Sequence, residues 1–190
     1  SPRAQNAAAG FDAEMGNIPS VIARIRKVQA LHPNVYWTWS LDMSVACGVP
    51  NHPVQWQTML DMIDKKPRAI VTTDMMRLAA IQIEQGRCPH MSPVALDEHV
   101  AKAANIFERE RMPDKLEKAL VVRSYLARAA KDEPRFRALL KQAANANPTG
   151  TLALSDLAYH ELNAGNLDAA EAAISQMRDR VGDGREKHTV

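Results

Sequence analysis

The stretch TLALSDLAYHELNAGNLDAAEAAISQMRDRV, residues 151–181, decides the fold. Leu154, Leu157 and Ala158 recur at three- and four-residue steps, and so do Ala170, Ile174 and Met177, the spacing of one apolar face on an α-helix. Gly165 lies between the two runs, where a residue free to turn left-handed ends one helix and lets the next fold back. The reading is a helix over 151–163, a tight turn, and a helix over 167–180.

Outward from that hairpin the same grammar repeats. Pro19 and Ser20 suit a helix start, Val21, Ile22, Ile25, Val28 and Leu31 keep helical spacing, and Pro33 ends it. A second helix is expected over 35–46, stopping at Cys47-Gly48, and a third over 54–65, closed by Pro67. Thr73-Asp74 are expected to cap a helix running to Gln85, with Gly86 terminating it. Ser92-Pro93 starts a helix to about Arg111, Pro113-Asp114 opens one to Ala130, and Pro134 begins another that Pro148 closes. Residues 1–19 read as an arm or short helix, residues 20–181 as the folded domain, and 182–190 as a loose polar tail. No stretch reads as a strand, so the expected class is all-α, with about seven to nine helices.

Composition agrees and narrows the function. Hydrophobic residues make up 46% of 190, enough to fill a core, and aromatics only 5%, which suits close-packed helices better than sheets. The formal net charge is +2, so there is no strong basic field to hold nucleic acid. No apolar run reaches the ~20 residues that span a bilayer. The start, Ser1-Pro2-Arg3-Ala4, has neither an initiator Met nor a signal-peptide layout, and reads as a cut from something longer that carried any membrane anchor.

Sliding the last hairpin back by 34 residues places Leu120, Ser124, Phe136, Leu140 and Ala143 at matching positions, with Pro148 ending the unit. In spacing and pattern this resembles the tetratricopeptide repeat, most clearly in Leu157-Ala158, Gly165-Asn166-Leu167 and Ala170. Met75, Leu78-Ala79 and Gly86, and before them Trp37, Leu41 and Gly48, look like stretched copies, so the resemblance covers about residues 20–181. Glu161, where the family has an aromatic, and Arg123, in place of a Leu, depart from it. The alternative is a non-repetitive helical bundle. The resemblance implies a right-handed α-solenoid, in which each hairpin buries the apolar face of its neighbour. It further implies a concave, partner-binding surface with Asp42, Met76 and Ala80 toward one end. Tyr125, Arg128, Tyr159, Leu162 and Asn163 would continue it, and Tyr and Arg are favoured at binding hot spots.

Cys47 and Cys88 each fall in a turn between the helices of adjacent pairs. Neighbouring helices pack ~8–10 Å apart, and turn residues can close that to the ~4.4–6.8 Å between Cα atoms that a disulfide needs. Such a bridge would enclose about 40 residues and contribute about 4 kcal/mol in the chain-entropy picture. Two unrelated thiols, or a zinc-like set of Cys47, His52, Cys88 and His90, are the alternatives; the C-x4-H and C-x-H spacings match no common finger.

Catalytic signals are weak. His32 and His188 fall at a helix end and in the tail, and His99 and His160 within helices, where surface or satisfied positions are the usual outcome. Asp61 and Asp64 lie one helical turn apart, as many surface carboxylates do. There is no phosphate loop, nucleophile elbow or H-E-x-x-H, and Met43, Met59, Met62, Met75 and Met76 read as core filler. The expectation is therefore a non-catalytic scaffold with no cofactor, binding a protein or peptide partner. A small-molecule, glycan-binding or enzymatic helical domain with an inter-helix pocket is the alternative, and a passive spacer a third. With its Cys47-Gly48 and Gly86-Arg87-Cys88-Pro89 turns and its terminal repeat, the chain also resembles the envelope-side C-terminal repeat domains of polytopic bacterial membrane proteins of the glycosyltransferase and surface-polysaccharide type. That resemblance implies a periplasmic location, with the cytoplasm as the alternative, and leaves any sugar chemistry to the parent protein.

Overall fold

The structure, a computed structural model, describes residues 2–32, 47 and 53–186. Among them it holds nine α-helices and no strand. The chain divides into two compact units, Ser1–Leu96 and Asp97–Val190.

In the first unit, α1 (Pro2–Glu14) and α2 (Ile18–Leu31) pack through Ala9, Val21 and Ile25, with Ile18 and Ile22 at the margin. Polar contacts pin the same pair. Asp12 accepts from Ser20 Oγ and Arg24 Nε, both at 2.6 Å, and the Ser20 hydroxyl first, then Arg24, hold its carboxyl below the usual aspartate value. The N-terminal segment is thus a thirteen-residue helix with a fixed docking, the helical one of its two expected forms. α3 (Pro53–Lys65) and α4 (Ile70–Glu84) bury Met59, Met62, Ile63, Met75, Met76 and Ala79, so these methionines fill the core as expected. Met43 and the helix expected over 35–46 lie outside the described residues.

α4 begins earlier than expected. Its N-cap is Ala69, with no side-chain cap bond, whereas Thr72 and Thr73 are buried and donate their hydroxyls to the Lys66 and Ile70 carbonyls. A threonine whose hydroxyl is engaged inside the first turn does not cap that turn, which is why Thr73-Asp74 misled.

α5 (Pro93–Arg109) starts at Ser92, whose Oγ accepts from the Ala95 N–H at 3.3 Å. The second unit continues with α6 (Pro113–Ala129), α7 (Glu133–Ala146), α8 (Leu152–Asn163) and α9 (Leu167–Glu186). α6 packs on α7, α7 on α8 and α8 on α9, while α6 also touches α8. Phe107, Leu120, Leu126, Phe136 and Leu140 are its largest fully buried side chains. The helix expected to stop at Arg180 runs on to Glu186, so the first part of the expected tail is helical.

One turn design recurs in both units. Gly16, Gly86, Arg111, Lys131 and Gly165 all have positive φ, 54–77°, just beyond a helix end. After each, the next residue's N–H reaches back to a carbonyl in the helix's last turn: Asn17 to Asp12, Arg87 to Gln82, Met112 to Phe107, Asp132 to Ala127 and Asn166 to Glu161, all at 2.8–2.9 Å. This is the six-to-one bond of the Schellman motif, which satisfies carbonyls the helix leaves orphaned. Lys131 and Gly165 stand 34 residues apart in the same conformation.

Candidate functional site

α8 is held at both ends by buried carboxylates. Its N-cap, Thr151, makes no side-chain cap bond. The missing acceptor comes from another helix, because Glu117 of α6, 3% exposed, accepts the Ala153 N–H through Oε1 at 3.0 Å. Its other oxygen accepts from Asn147 Nδ2 at 2.7 Å, and that amide's second bond goes to Asp114 Oδ1 at 2.9 Å. Thr149 Oγ donates to Asn147 Oδ1, and Arg180 of α9 caps the Ala144, Asn147 and Gly150 carbonyls. Gly150 completes the knot, since a Cβ there would collide with the Glu117 carboxylate and the Asn147 amide. A carboxylate at a helix N-terminus also meets the positive end of the helix dipole.

At the other end, Glu161 is 4% exposed, pairs with Arg137 Nη1 at 2.8 Å and accepts from Asn166 Nδ2 at 2.7 Å. The residue that departs from the repeat pattern is therefore a clamp on the following turn. Glu133 lies beside it, accepting from Arg137 Nε at 2.8 Å and facing His160 Nε2 at 2.7 Å, while the His160 ring meets Phe136 edge-on at 4.5 Å. The Arg137 guanidinium foremost, with His160 behind it, keeps the Glu133 carboxyl below its ordinary value against the opposing pull of partial burial. Arg123, the other departure, binds Asp97 of α5 at 2.8 Å, and Arg135 binds the same carboxylate.

The eight residues expected to face a partner divide sharply. Tyr159 and Leu162 are 68% and 56% exposed, and Asn163 is exposed beside them on the same face of α8, its side-chain amide on the Tyr159 carbonyl at 2.9 Å. Tyr125 is buried, with its hydroxyl on Asp156 Oδ2 at 2.6 Å. Arg128 is half-buried, its guanidinium 4.9 Å from the Phe136 ring centre and 5.6 Å from that of Tyr125. Met76 and Ala80 are fully buried and display nothing to a partner, and Asp42 lies outside the described residues. The apolar periodicity that marks a helix face does not separate the side facing the core from the side facing a groove, and at these two positions the core took it.

Cys47 and Cys88 are brought to disulfide-bonding distance, with Cα atoms 4.3 Å apart across 41 positions of sequence. Both are buried. Of the zinc-like set, His90 is exposed and His52 lies outside the described residues; no group of three His, Cys, Asp or Glu among the described residues is placed to hold a metal. Asp61 is engaged with Lys65 at 2.8 Å and Gln57 at 2.9 Å along the surface of α3. None of the described helices is long and apolar enough to cross a membrane. No family model, no curated protein and no solved structure matches the chain.

Sequence reasoning missed Glu117, Asn147 and Arg180. A buried Glu in a helix that also carries Asp114, Lys115 and Lys118 bears no local mark, because its partners lie 30 and 36 positions away. The one available signal was Pro148-Thr149-Gly150 directly ahead of a helix whose cap is a weak one.

Proposed function

We propose that this chain is a non-catalytic protein-interaction or assembly scaffold, built as a tetratricopeptide-like solenoid of antiparallel helix hairpins. Its docking surface is the outer face of α8, and the partner is a segment of another protein. The observation that carries this reading is the contrast on α8 itself. Two buried carboxylates fix the helix at both ends, while its outward face presents Tyr159, Leu162 and Asn163. A rigid support lowers the ordering cost of binding, and an exposed tyrosine is of the residue type enriched at hot spots. Turns of one design 34 residues apart, at Lys131 and Gly165, support the repeat. The Cys47–Cys88 pair favours an oxidising compartment, in keeping with an envelope-side domain of a larger bacterial membrane protein.

The test is a photo-crosslinking residue at position 159 of the intact protein in its native host, with exposed position 141 on α7 as control. A discrete heterologous adduct from 159, absent from 141 and lost on Leu162→Asp, is the expected result. Adducts alike from both positions, or none from either, would remove α8 as the docking face.

A further inference from the structure

α9 carries a second exposed feature, on a different helix from the proposed partner face. Its inward side is buried through Ala170 and Ala173. Along the edge of that buried side Leu167, Ile174 and Val181 recur every seven residues and are 65%, 39% and 50% exposed. Ile174 was expected in the core as part of the hairpin's apolar pattern, but it is 39% exposed, and no other described helix of the second unit covers it. Glu171 and Arg178 lie about one turn to either side of Ile174, both exposed and, seven positions apart, too distant to pair with each other along the helix. Between Ile174 and Val181, a shallow apolar depression of about 380 Å³ is lined by these two with Met177, Arg178 and Gly182. Over Gly182 there is open space.

We propose that a second copy of this chain covers this stripe, the two α9 helices packing antiparallel about a two-fold axis at Ile174. The pattern is its own complement in that arrangement and in no parallel one. Ile174 meets Ile174, Leu167 of each copy enters the depression beside Val181 of the other, and Glu171 of each copy faces Arg178 of the other. A parallel pairing turns the Glu171–Arg178 flank of each copy toward the Ala170–Met177 flank of the other, so neither charge meets an opposite one. Seven-residue apolar spacing flanked by charges is the seam of a two-helix contact, and an isologous contact closes at two copies. The seam spans only about 21 Å of helix, so the association is weak, with a dissociation constant on the order of micromolar.

Sedimentation of the 190-residue chain over a wide concentration range tests this, with far-UV circular dichroism confirming that each variant folds. Wild type is expected to shift from monomer to dimer, Ile174→Asp to stay monomeric, and Glu171→Arg and Arg178→Glu each to weaken the dimer at least about tenfold. Mixing the two reversal variants in equal amounts places opposite charges across both contacts again and restores dimerisation as a heterodimer. A wild type that stays monomeric at about millimolar concentration overturns the proposal, as does an unweakened dimer in the single reversals or a mixture that fails to recover.

Discussion

Replacing Glu117 by Ala should destabilise the second unit far more than a surface glutamate would. The change removes two bonds to a buried carboxyl acceptor, one from the Ala153 N–H and one from Asn147 Nδ2. Each such bond is worth about 1.5–3 kcal/mol, but the losses are unequal. Asn147 keeps its bond to Asp114, whereas the Ala153 N–H lies in the first turn of α8, where the helix itself offers no carbonyl and the cap residue makes no bond. Removing a buried carboxylate also recovers part of its desolvation cost. A net loss of about 3 kcal/mol follows, read as a lower urea midpoint by circular dichroism and a fall in Tm of roughly 12–24 °C for a unit of this size. Glu117→Gln should lose about half as much, because a neutral amide offers a single acceptor for the two donors. Thr151→Asp supplies a local cap, so it should recover a good part of the loss in the Glu117→Ala background and add little, or repel, beside the native carboxylate. A Glu117→Ala variant within about 0.5 kcal/mol of wild type would refute the tertiary-cap argument, as would a Thr151→Asp effect equal in both backgrounds.

The matched turns give a paired expectation: Lys131→Gly should stabilise the chain by about 0.5–1 kcal/mol and Gly165→Ala destabilise it by about 1 kcal/mol, both by urea titration, since both positions hold left-handed φ. Gly150→Ala should cost more than Gly165→Ala although its φ is unremarkable, because its Cβ would collide with the Glu117 knot; equal costs would speak against that collision. Glu133 contributes stability above the ordinary glutamate value of 4.5, and this is lost as pH falls through its depressed folded value. The gap in urea midpoint between wild type and Glu133→Gln should therefore be widest at about pH 7 and close toward about pH 3, and a constant gap would contradict the ion pairing with Arg137. Reducing the Cys47–Cys88 link, or changing both residues to Ser, should cost the first unit about 2–4 kcal/mol, visible as a lower Tm without added denaturant; identical melting with and without reductant would rule the link out.

Much of the helical outline could be read along the chain, because helix spacing, proline and glycine act locally. Pro113, Gly86 and Gly165 fall at helix boundaries as read, whereas Lys131 and Arg111 adopt the same left-handed turn without glycine and left no trace in the sequence. A link between Cys47 and Cys88 was one of three readings open in the sequence, beside free thiols and a zinc-like set, and it took the folded chain to bring the two to bonding distance. The surface was harder. Tyr159 and Leu162 are exposed where the repeat pattern put them, yet Met76 and Ala80 share that pattern and are buried.

By itself the amino-acid order determined that the chain is helical and where most helices stop, since each of those choices is settled within one or two turns of backbone. Which carboxylate caps α8, which apolar stripe stays uncovered on α9, and which tyrosine spends its hydroxyl inward were decided only by tertiary packing. Burial and hydrogen bonding at those positions depend on side chains some thirty residues away, and no local pattern encodes that distance.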